Sequence, residues 1–243
     1  GAFIPTIRTD QAYLFLLVGL LGTTITPFMQ LFQQSSIVER GVARRHYGPE
    51  RWDAYAGAIF SNLISITMII ATAATLHQAG QTQIDSAADA ARALEPFAGN
   101  AAKILFAVGL MGASLLAGAV LPLATAYAVS EVLGAPKGVN LDFRRAPIFF
   151  GLFTGMIFLG ALVSLVPNLP VIRWLVAVQV LNGVLLPIML IFILRLINDE
   201  GLMGALKNTR TYNVLGWGTF ALITIAVVIM LSSQVLSLLG VIR

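Results

Sequence analysis

The stretch GLLGTTITPFMQLFQQSSIVERG, residues 19–41, contains the feature on which the fold prediction rests. It begins as an apolar membrane helix, meets a proline at position 27, and then places Gln30, Gln33 and Gln34 where lipid is expected. A proline inside a helix removes a backbone donor and clashes with the carbonyl four residues earlier. Amide side chains are costly in hydrocarbon. The stretch therefore predicts a broken membrane helix with a polar second half.

The composition is that of an integral membrane protein. Of the 243 residues, 58% are hydrophobic and 11% are charged, whereas soluble domains carry about 25% charged residues. The absence of cysteine excludes disulfides and thiolate metal sites, and two histidines cannot form a zinc site by themselves. No Ser-His-Asp set, acidic pair or phosphate loop is present, so an enzyme is not expected. We expect a lipid bilayer around the chain, no cofactor and no nucleic-acid partner.

Six segments are apolar over the roughly 20 residues that a membrane helix needs. They lie at about 12–38, 54–76, 101–130, 147–166, 172–197 and 213–240. Only helices and closed barrels satisfy their backbone in lipid, and continuous apolar runs do not alternate as barrel strands do. The predicted fold is therefore an all-α membrane protein, with residues 1–243 forming a single transmembrane domain.

Basic residues predict the orientation of the spans. Ten of the 15 Lys and Arg residues lie in the loops after spans one, three and five. The other five lie on the opposite side, where acidic residues dilute them. Because basic residues mark the cytoplasmic side, residue 1 is predicted to lie outside. A first span that enters from outside predicts a fragment of a longer protein.

Around Pro27 the sequence predicts an ion site. Transporters bind ions near the bilayer midplane at broken helices, using the carbonyls that end the first half-helix. The hydroxyls of Thr23, Thr24 and Thr26 add oxygen ligands, which suit hard cations. The alternative is a kink in which these hydroxyls bond back to their own helix.

Amide side chains supply the rest of the candidate site. Gln30, Gln33 and Gln34 fall close to one helix face, where we expect them to line a water-filled ion path. Gln179 and Asn182, three apart in span five, are expected to offer amide oxygens as ion ligands. The alternative for both sets is that the amides hold neighbouring helices together.

Small residues in span three predict close helix packing. Gly109, Ala113 and Ala117 follow one another at a spacing of four. Small residues at that period allow two membrane helices to approach closely. We expect this face to pack against another helix.

Two motifs resemble the NRAMP family of divalent-metal transporters. GLLGTTITPFMQLFQQSS is similar to the family's sixth helix, and VQVLNGVLLP to its tenth, with Gln179 eight residues before Pro187. The order of the spans and the basic loop after the first also agree, so the resemblance covers the chain as helices six to eleven. It implies a broken-helix fold, like that of the amino-acid/sodium symporters, built from two inverted repeats. The chain would hold the second repeat plus one helix, without the first five helices.

The resemblance also implies roles for particular residues. Thr23 would offer its backbone carbonyl to the ion, Thr26 occupies the family's methionine position, Pro27 is the shared proline, and Gln179 would approach the ion. The family's Asp-Pro-Gly-Asn motif on its first helix has no counterpart in this sequence.

Two departures from the family pattern concern the chemistry of the ion. A hydroxyl at Thr26 replaces a soft thioether, which weakens the preference for Mn²⁺ and Fe²⁺ over Mg²⁺. Phe28 and Gln33 stand where the family has two histidines, the side chains that change charge near neutral pH. Proton coupling by that route is therefore not expected. The pattern is similar to that of the NRAMP-related magnesium transporters.

Three functional hypotheses follow. The first is import of a divalent cation, Mn²⁺/Fe²⁺ or Mg²⁺, into the cytoplasm by alternating access in a bacterial inner membrane. The second is an amino-acid or amine symporter on the same fold. The third is a non-transporting membrane sensor or assembly subunit, in which Gln33, Gln34 and Gln179 only join helices.

Overall fold

The computed structural model describes residues 10–77, 84, 86–92, 95–167 and 169–238. Throughout those ranges the regular structure is helical. The α-helices are α1 (Gln11–Thr24), α2 (Pro27–Glu39), α3 (Tyr47–Thr72), α4 (Ala87–Arg92), α5 (Glu95–Ala98), α6 (Ala102–Val132), α7 (Pro147–Ser164), α8 (Val171–Leu196), α9 (Glu200–Met203) and α10 (Arg210–Leu238). Short 3₁₀ turns lie at Arg44–His46, Gly99–Ala101 and Gly204–Leu206, and a π-helical turn, Ala73–His77, follows α3.

Six helical segments of the described chain are long and apolar enough to cross a membrane. They are Gln11–Glu39, which contains α1 and α2, and Arg44–Leu76, Ala102–Val132, Pro147–Ser164, Val171–Leu196 and Arg210–Ser237. The predicted all-α membrane fold with six spans is confirmed. The second span is longer than predicted, because α3 already begins at Tyr47, within a polar segment that a search for apolar runs leaves out.

Helix starts follow local sequence signals. The Asp10 carboxylate accepts a hydrogen bond from the Tyr13 backbone N–H at 2.9 Å and so caps α1. Pro147 is the first residue of α7, a position where the missing N–H costs nothing. These local signals determine where the two helices begin, whereas the apolar runs form the rest of each helix.

Contacts divide the chain into two compact units. The first contains the described residues of Phe3–Gln30 and Arg173–Arg243, and the second those of Leu31–Ile172. In the first unit a buried apolar core joins α1, α8 and α10. Its buried members are Leu14, Val18, Val180, Leu186, Ile223, Val227 and Met230.

The closest approach in the first unit is the crossing of α1 and α8. A Cβ added to Gly22 would overlap the Gln179 carbonyl oxygen and the Gly183 amide nitrogen. A Cβ added to Gly183 would overlap the Val18 carbonyl oxygen and lie 2.7 Å from Val18 Cγ1. The two backbones therefore touch directly, which only glycine permits at these two positions.

The close packing predicted for span three is wrong within the described residues. A Cβ built at Gly109 meets nothing within 4 Å. Ala113 and Ala117 are exposed on the same face. The spacing of small residues is a property of one helix, and it does not determine which neighbour covers that face.

An asparagine cluster joins the ends of α8 and α10. Asn213 Nδ2 donates to Asn198 Oδ1 at 2.6 Å, and Asn208 Nδ2 donates to Asn213 Oδ1 at 3.2 Å. Asn198 Nδ2 in turn donates to the Leu194 carbonyl at 2.7 Å. All three asparagines are half-buried, so the cluster fixes the connection between two spans with paired amides.

In the second unit, aromatic rings form the core between α2, α6 and α7. The Tyr127 ring meets Phe149 edge-on, with centroids 4.8 Å apart, and lies 6.3 Å from the Phe32 ring. Ala126 and Ala146 complete the buried cluster. Phe32 therefore gives α2 its apolar contact with α6.

We predict that Gly183→Ala lowers the free energy of unfolding by about 1–3 kcal/mol, the usual cost of overpacking. The added methyl group must push α8 away from the Val18 carbonyl of α1. Thermal unfolding of the purified protein in detergent measures the effect. Gly118→Ala is the matched control, because a Cβ there meets nothing within 4 Å. Equal melting temperatures for the two variants would contradict the crossing geometry.

We also predict that Asn213→Ala destabilises the protein by about 1–3 kcal/mol, because Asn198 and Asn208 lose their partners while half-buried. Asn62→Ala is the comparison, since the exposed Asn62 amide donates only to the Ala58 carbonyl of its own helix. Melting temperatures in detergent again provide the measurement. If Asn213→Ala lowers the melting temperature no more than Asn62→Ala does, the asparagine cluster contributes nothing to stability.

Candidate metal-binding site

The first span is interrupted at Ile25 and Thr26. Helix α1 ends at Thr24, and α2 begins at Pro27. Ile25 has φ −124° and ψ 83°, outside the helical region. The structure thus places Pro27 as the first residue of the second half-helix, a position where its ring is compatible with the helix.

The interruption frees backbone carbonyls at the end of α1. The Leu21 carbonyl accepts from the Ile25 N–H at 3.0 Å, and the Thr26 carbonyl accepts from the Met29 N–H at 3.2 Å. Among the described residues, no backbone amide donates to the carbonyls of Gly22 or Thr23. Pro27, which would follow Thr23 by four residues in an unbroken helix, has no N–H to give. The Thr24 carbonyl likewise accepts from no described backbone amide, so three carbonyl oxygens at the end of α1 are available to a ligand.

The three threonine hydroxyls differ in their surroundings. Thr24 Oγ1 donates to the Leu20 carbonyl at 2.8 Å, so this hydroxyl bonds back to its own helix, as the kink alternative expects. The Thr23 and Thr26 hydroxyls have no hydrogen-bond partner among the described residues. Thr23 is exposed and Thr26 is half-buried. Both hydroxyls keep their lone pairs free for a cation.

Thr23 and Gln179 lie on one cavity of about 250 Å³ between α1 and α8. Its other walls are Leu16, Gly19, Leu20, Leu175 and Val176. The crossing at Gly22 fixes this arrangement, because the Gln179 backbone packs directly on Gly22, one residue before Thr23. Thr26 lies beyond the end of α1 and does not line the cavity.

The two amides of α8 contact each other. Asn182 Nδ2 donates to Gln179 Oε1 at 3.1 Å, and both side chains are half-buried. The pair lies within one helix rather than between helices. The bond occupies one lone pair of Gln179 Oε1 and leaves the second for another partner.

The three glutamines of α2 divide between the two units. Gln30 is half-buried in the first unit. Gln33 and Gln34 belong to the second, where both are exposed and Gln34 lines a cavity of about 170 Å³.

Glu39 and Glu131 line the same cavity as Gln34, and sequence reasoning did not single them out. The signal available for Glu39 is its position as the last residue of the polar half-helix. No local pattern marks Glu131, which reaches this cavity from α6.

Within the described ranges, no three His, Cys, Asp or Glu side chains cluster so as to hold a metal ion. The oxygens gathered at the helix break are neutral: backbone carbonyls, threonine hydroxyls and the Gln179 amide. Neutral oxygen ligands suit cations of the Mg²⁺, Ca²⁺ and Mn²⁺ type.

A family of known proteins matches most of the chain. The model of the family described as Natural resistance-associated macrophage protein-like (Nramp) matches residues 1–233. A protein of Klebsiella pneumoniae strain 342, named divalent metal cation transporter MntH, is 30% identical over 246 aligned residues, which cover 99% of this chain and 55% of the relative.

Two further relatives carry the same name. The protein of Klebsiella pneumoniae subsp. pneumoniae strain ATCC 700721 / MGH 78578 is 29% identical over 92% of this chain and 52% of its own length. The protein of Ralstonia nicotianae strain ATCC BAA-1114 / GMI1000 is 30% identical over 93% of this chain and 52% of its own length. The chain therefore spans about half the length of the curated relatives it matches.

The family match runs through both motifs, the interrupted first span and the Gln179 segment of α8. The six apolar helices identify a multi-pass membrane protein, as the family requires. On these grounds the chain belongs to the Nramp family.

Proposed function

We propose that the protein containing this chain imports divalent metal cations into the cytoplasm by alternating access. The observation that carries the proposal is the group of carbonyls at the end of α1 that accept from no described backbone amide, beside the cavity shared by Thr23 and Gln179. The curated relatives are named divalent metal cation transporters, which favours this hypothesis over the amino-acid symporter and the non-transporting subunit.

In this proposal the cation is bound by the Thr23 carbonyl, by an oxygen of Thr26 and by Gln179 Oε1. The carbonyls at the C-terminal end of a helix carry partial negative charge, equivalent to roughly half an elementary charge for the whole end. Burial of the nearby crossing excludes water from one side and strengthens the attraction. Gln30, Gln33, Gln34 and Asn182 are proposed to line the hydrated path of the ion.

The proposed site discriminates less among metals than one that contains a thioether. A hydroxyl at Thr26 is a hard ligand, and hard ligands do not favour Mn²⁺ and Fe²⁺ over Mg²⁺ as strongly as sulfur does. We therefore propose that Mg²⁺ competes with Mn²⁺ for the site. We place the protein in a bacterial inner membrane, with the loops after spans one, three and five in the cytoplasm, because ten of its 15 Lys and Arg residues lie there.

Thr26→Met is expected to raise the affinity for Mn²⁺ relative to Mg²⁺ by about tenfold, because it restores a soft ligand at the helix break. Calorimetric titration of each ion into the complete purified protein measures the ratio. Thr24→Met is the matched control, because it adds the same thioether at a position whose hydroxyl bonds back to Leu20. If Thr26→Met leaves the ratio of the Mn²⁺ and Mg²⁺ affinities unchanged, Thr26 is not a ligand of the site.

Gln179→Ala is expected to weaken binding of Mn²⁺ and Mg²⁺ by about tenfold or more, the range found when the ligand shell of a metal is disturbed. Asn182→Ala should weaken it less, because that variant keeps Gln179 and removes only its 3.1 Å hydrogen-bond donor. Titration and melting temperature are measured together on each variant. A lower melting temperature with unchanged affinity would instead support the purely structural role of Gln179.

The same titration tests the proposal as a whole. Saturable binding of either ion supports it. No binding of either ion, or loss of binding when amino acids are added, would overturn it and favour the structural or the symporter hypothesis.

A further inference from the structure

The last residue of α2 contacts the α6–α7 loop, residues 133–146. Glu39 Oε1 accepts a hydrogen bond from the Val139 backbone N–H at 2.7 Å, across 100 positions of sequence. The acceptor is a carboxylate, and hydrogen bonds to charged groups are the stronger class. This bond, called here the Glu39 contact, attaches the end of the polar half-helix to a loop distant in sequence.

Gly138 is adapted to the Glu39 contact. Its φ of 140° lies in a region that side-chain-bearing residues rarely adopt. A Cβ built on Gly138 would lie 3.2 Å from Glu39 Oε1, closer than an ordinary contact. The glycine therefore both turns the chain and leaves room for the carboxylate to reach the Val139 N–H.

The loop side of the contact is held independently of α2. Lys137 Nζ pairs with Glu131 Oε2 of α6 at 2.6 Å. The Ala135 N–H donates to the Ser130 carbonyl at 2.9 Å. Both bonds join the loop to α6, so Glu39 attaches α2 to a support that is already fixed.

Empty space lies on two sides of the Glu39 contact. One cavity of about 170 Å³ is lined by Ser35, Glu39 and Glu131, among others. A second, of about 150 Å³, is lined by Ser36, Glu39 and Val139. The last turns of α2 therefore border a cavity on each side of the Glu39 carboxylate.

We propose that Glu39 is a positioning residue that holds the end of α2 against the α6–α7 loop and shields the cavity wall at Ser35. Ser35 lines the first cavity and is only 8% exposed. Breaking the contact lets the end of α2 separate from the loop and exposes the buried Ser35 to water. The link to ion release rests on the proposed function, because α2 carries the glutamines of the proposed ion path.

The absence of cysteine makes the inference directly testable. Ser35→Cys then adds the one thiol of this chain, and any cysteine in the rest of the complete protein is replaced by serine beforehand. The reaction rate of this thiol with a water-soluble maleimide in detergent measures how often position 35 becomes exposed. Glu39→Ala is expected to raise that rate about tenfold or more, as loss of a hydrogen bond to a charged group implies. Gly138→Ala, which disturbs the contact from the loop side, should also raise it.

Two further variants control the experiment. Glu39→Gln keeps an acceptor oxygen without the charge, so its rate should lie between those of the parent and of Glu39→Ala. Glu50→Ala removes a carboxylate that pairs with Arg40 at 3.2 Å, next to the end of α2 but not on the loop. That exposed ion pair contributes little, and its loss should leave the labelling rate unchanged.

The inference is overturned if the Ser35→Cys thiol reacts equally fast with and without the Glu39→Ala substitution, or if Glu50→Ala raises the rate as much as Glu39→Ala does. A thiol accessible at the rate of a fully exposed cysteine in the parent would also overturn it. Metal titration of the same proteins separates the two proposals. Normal metal binding with no change in labelling contradicts only the Glu39 contact, whereas a labelling change without metal binding contradicts only the proposed function.

Discussion

The direct contact between the backbones of α1 and α8 organises the first unit. Gly22 and Gly183 leave no room for a side chain, so the carbonyl of Gln179 lies against α1 at the turn before the helix break. In lipid, helices gain no hydrophobic energy from associating, and close backbone packing is a main source of their affinity. The contact that stabilises the pair therefore also sets the position of the candidate ligand Gln179.

The helix break adds polar atoms next to this packed crossing. The carbonyls of Gly22 and Thr23 lose their partners because Pro27 has no N–H and Ile25 leaves the helical region. Unpaired carbonyls are expensive in hydrocarbon and become useful where a cation replaces the missing donors. The Thr24 hydroxyl, by contrast, donates a hydrogen bond to the Leu20 carbonyl of its own helix. One short segment thus contains both a hydroxyl that bonds to its own helix and carbonyl oxygens that accept from no described backbone amide.

The second unit depends on different forces. Its core is a set of aromatic rings around Tyr127, to which Phe32 joins α2 by an apolar contact. Nearer the end of α2 lie two cavities and the hydrogen bond that the Glu39 carboxylate accepts from the Val139 N–H. Apolar packing is insensitive to small shifts in charge, whereas one carboxylate bond is made or lost as a unit. The end of α2 is therefore attached to the α6–α7 loop by a bond that a single substitution can remove.

The six spans and the position of the helix break could be predicted from the sequence alone. Both follow from local chemistry, since roughly 20 apolar residues must be helical in lipid and proline cannot donate a hydrogen bond. The need of Gln179 in α8 for a polar partner could also be predicted, because an amide in an apolar run is costly without one. Which helix faces meet became known only from the folded chain. The stripe at Gly109 was predicted to pack but has no neighbour among the described residues. Gly22 and Gly183 instead make the close crossing, and Glu39 reaches Val139 across 100 positions. Residue spacing shows which side chains share a face of a helix, but the neighbour of that face depends on contacts between segments far apart in the chain.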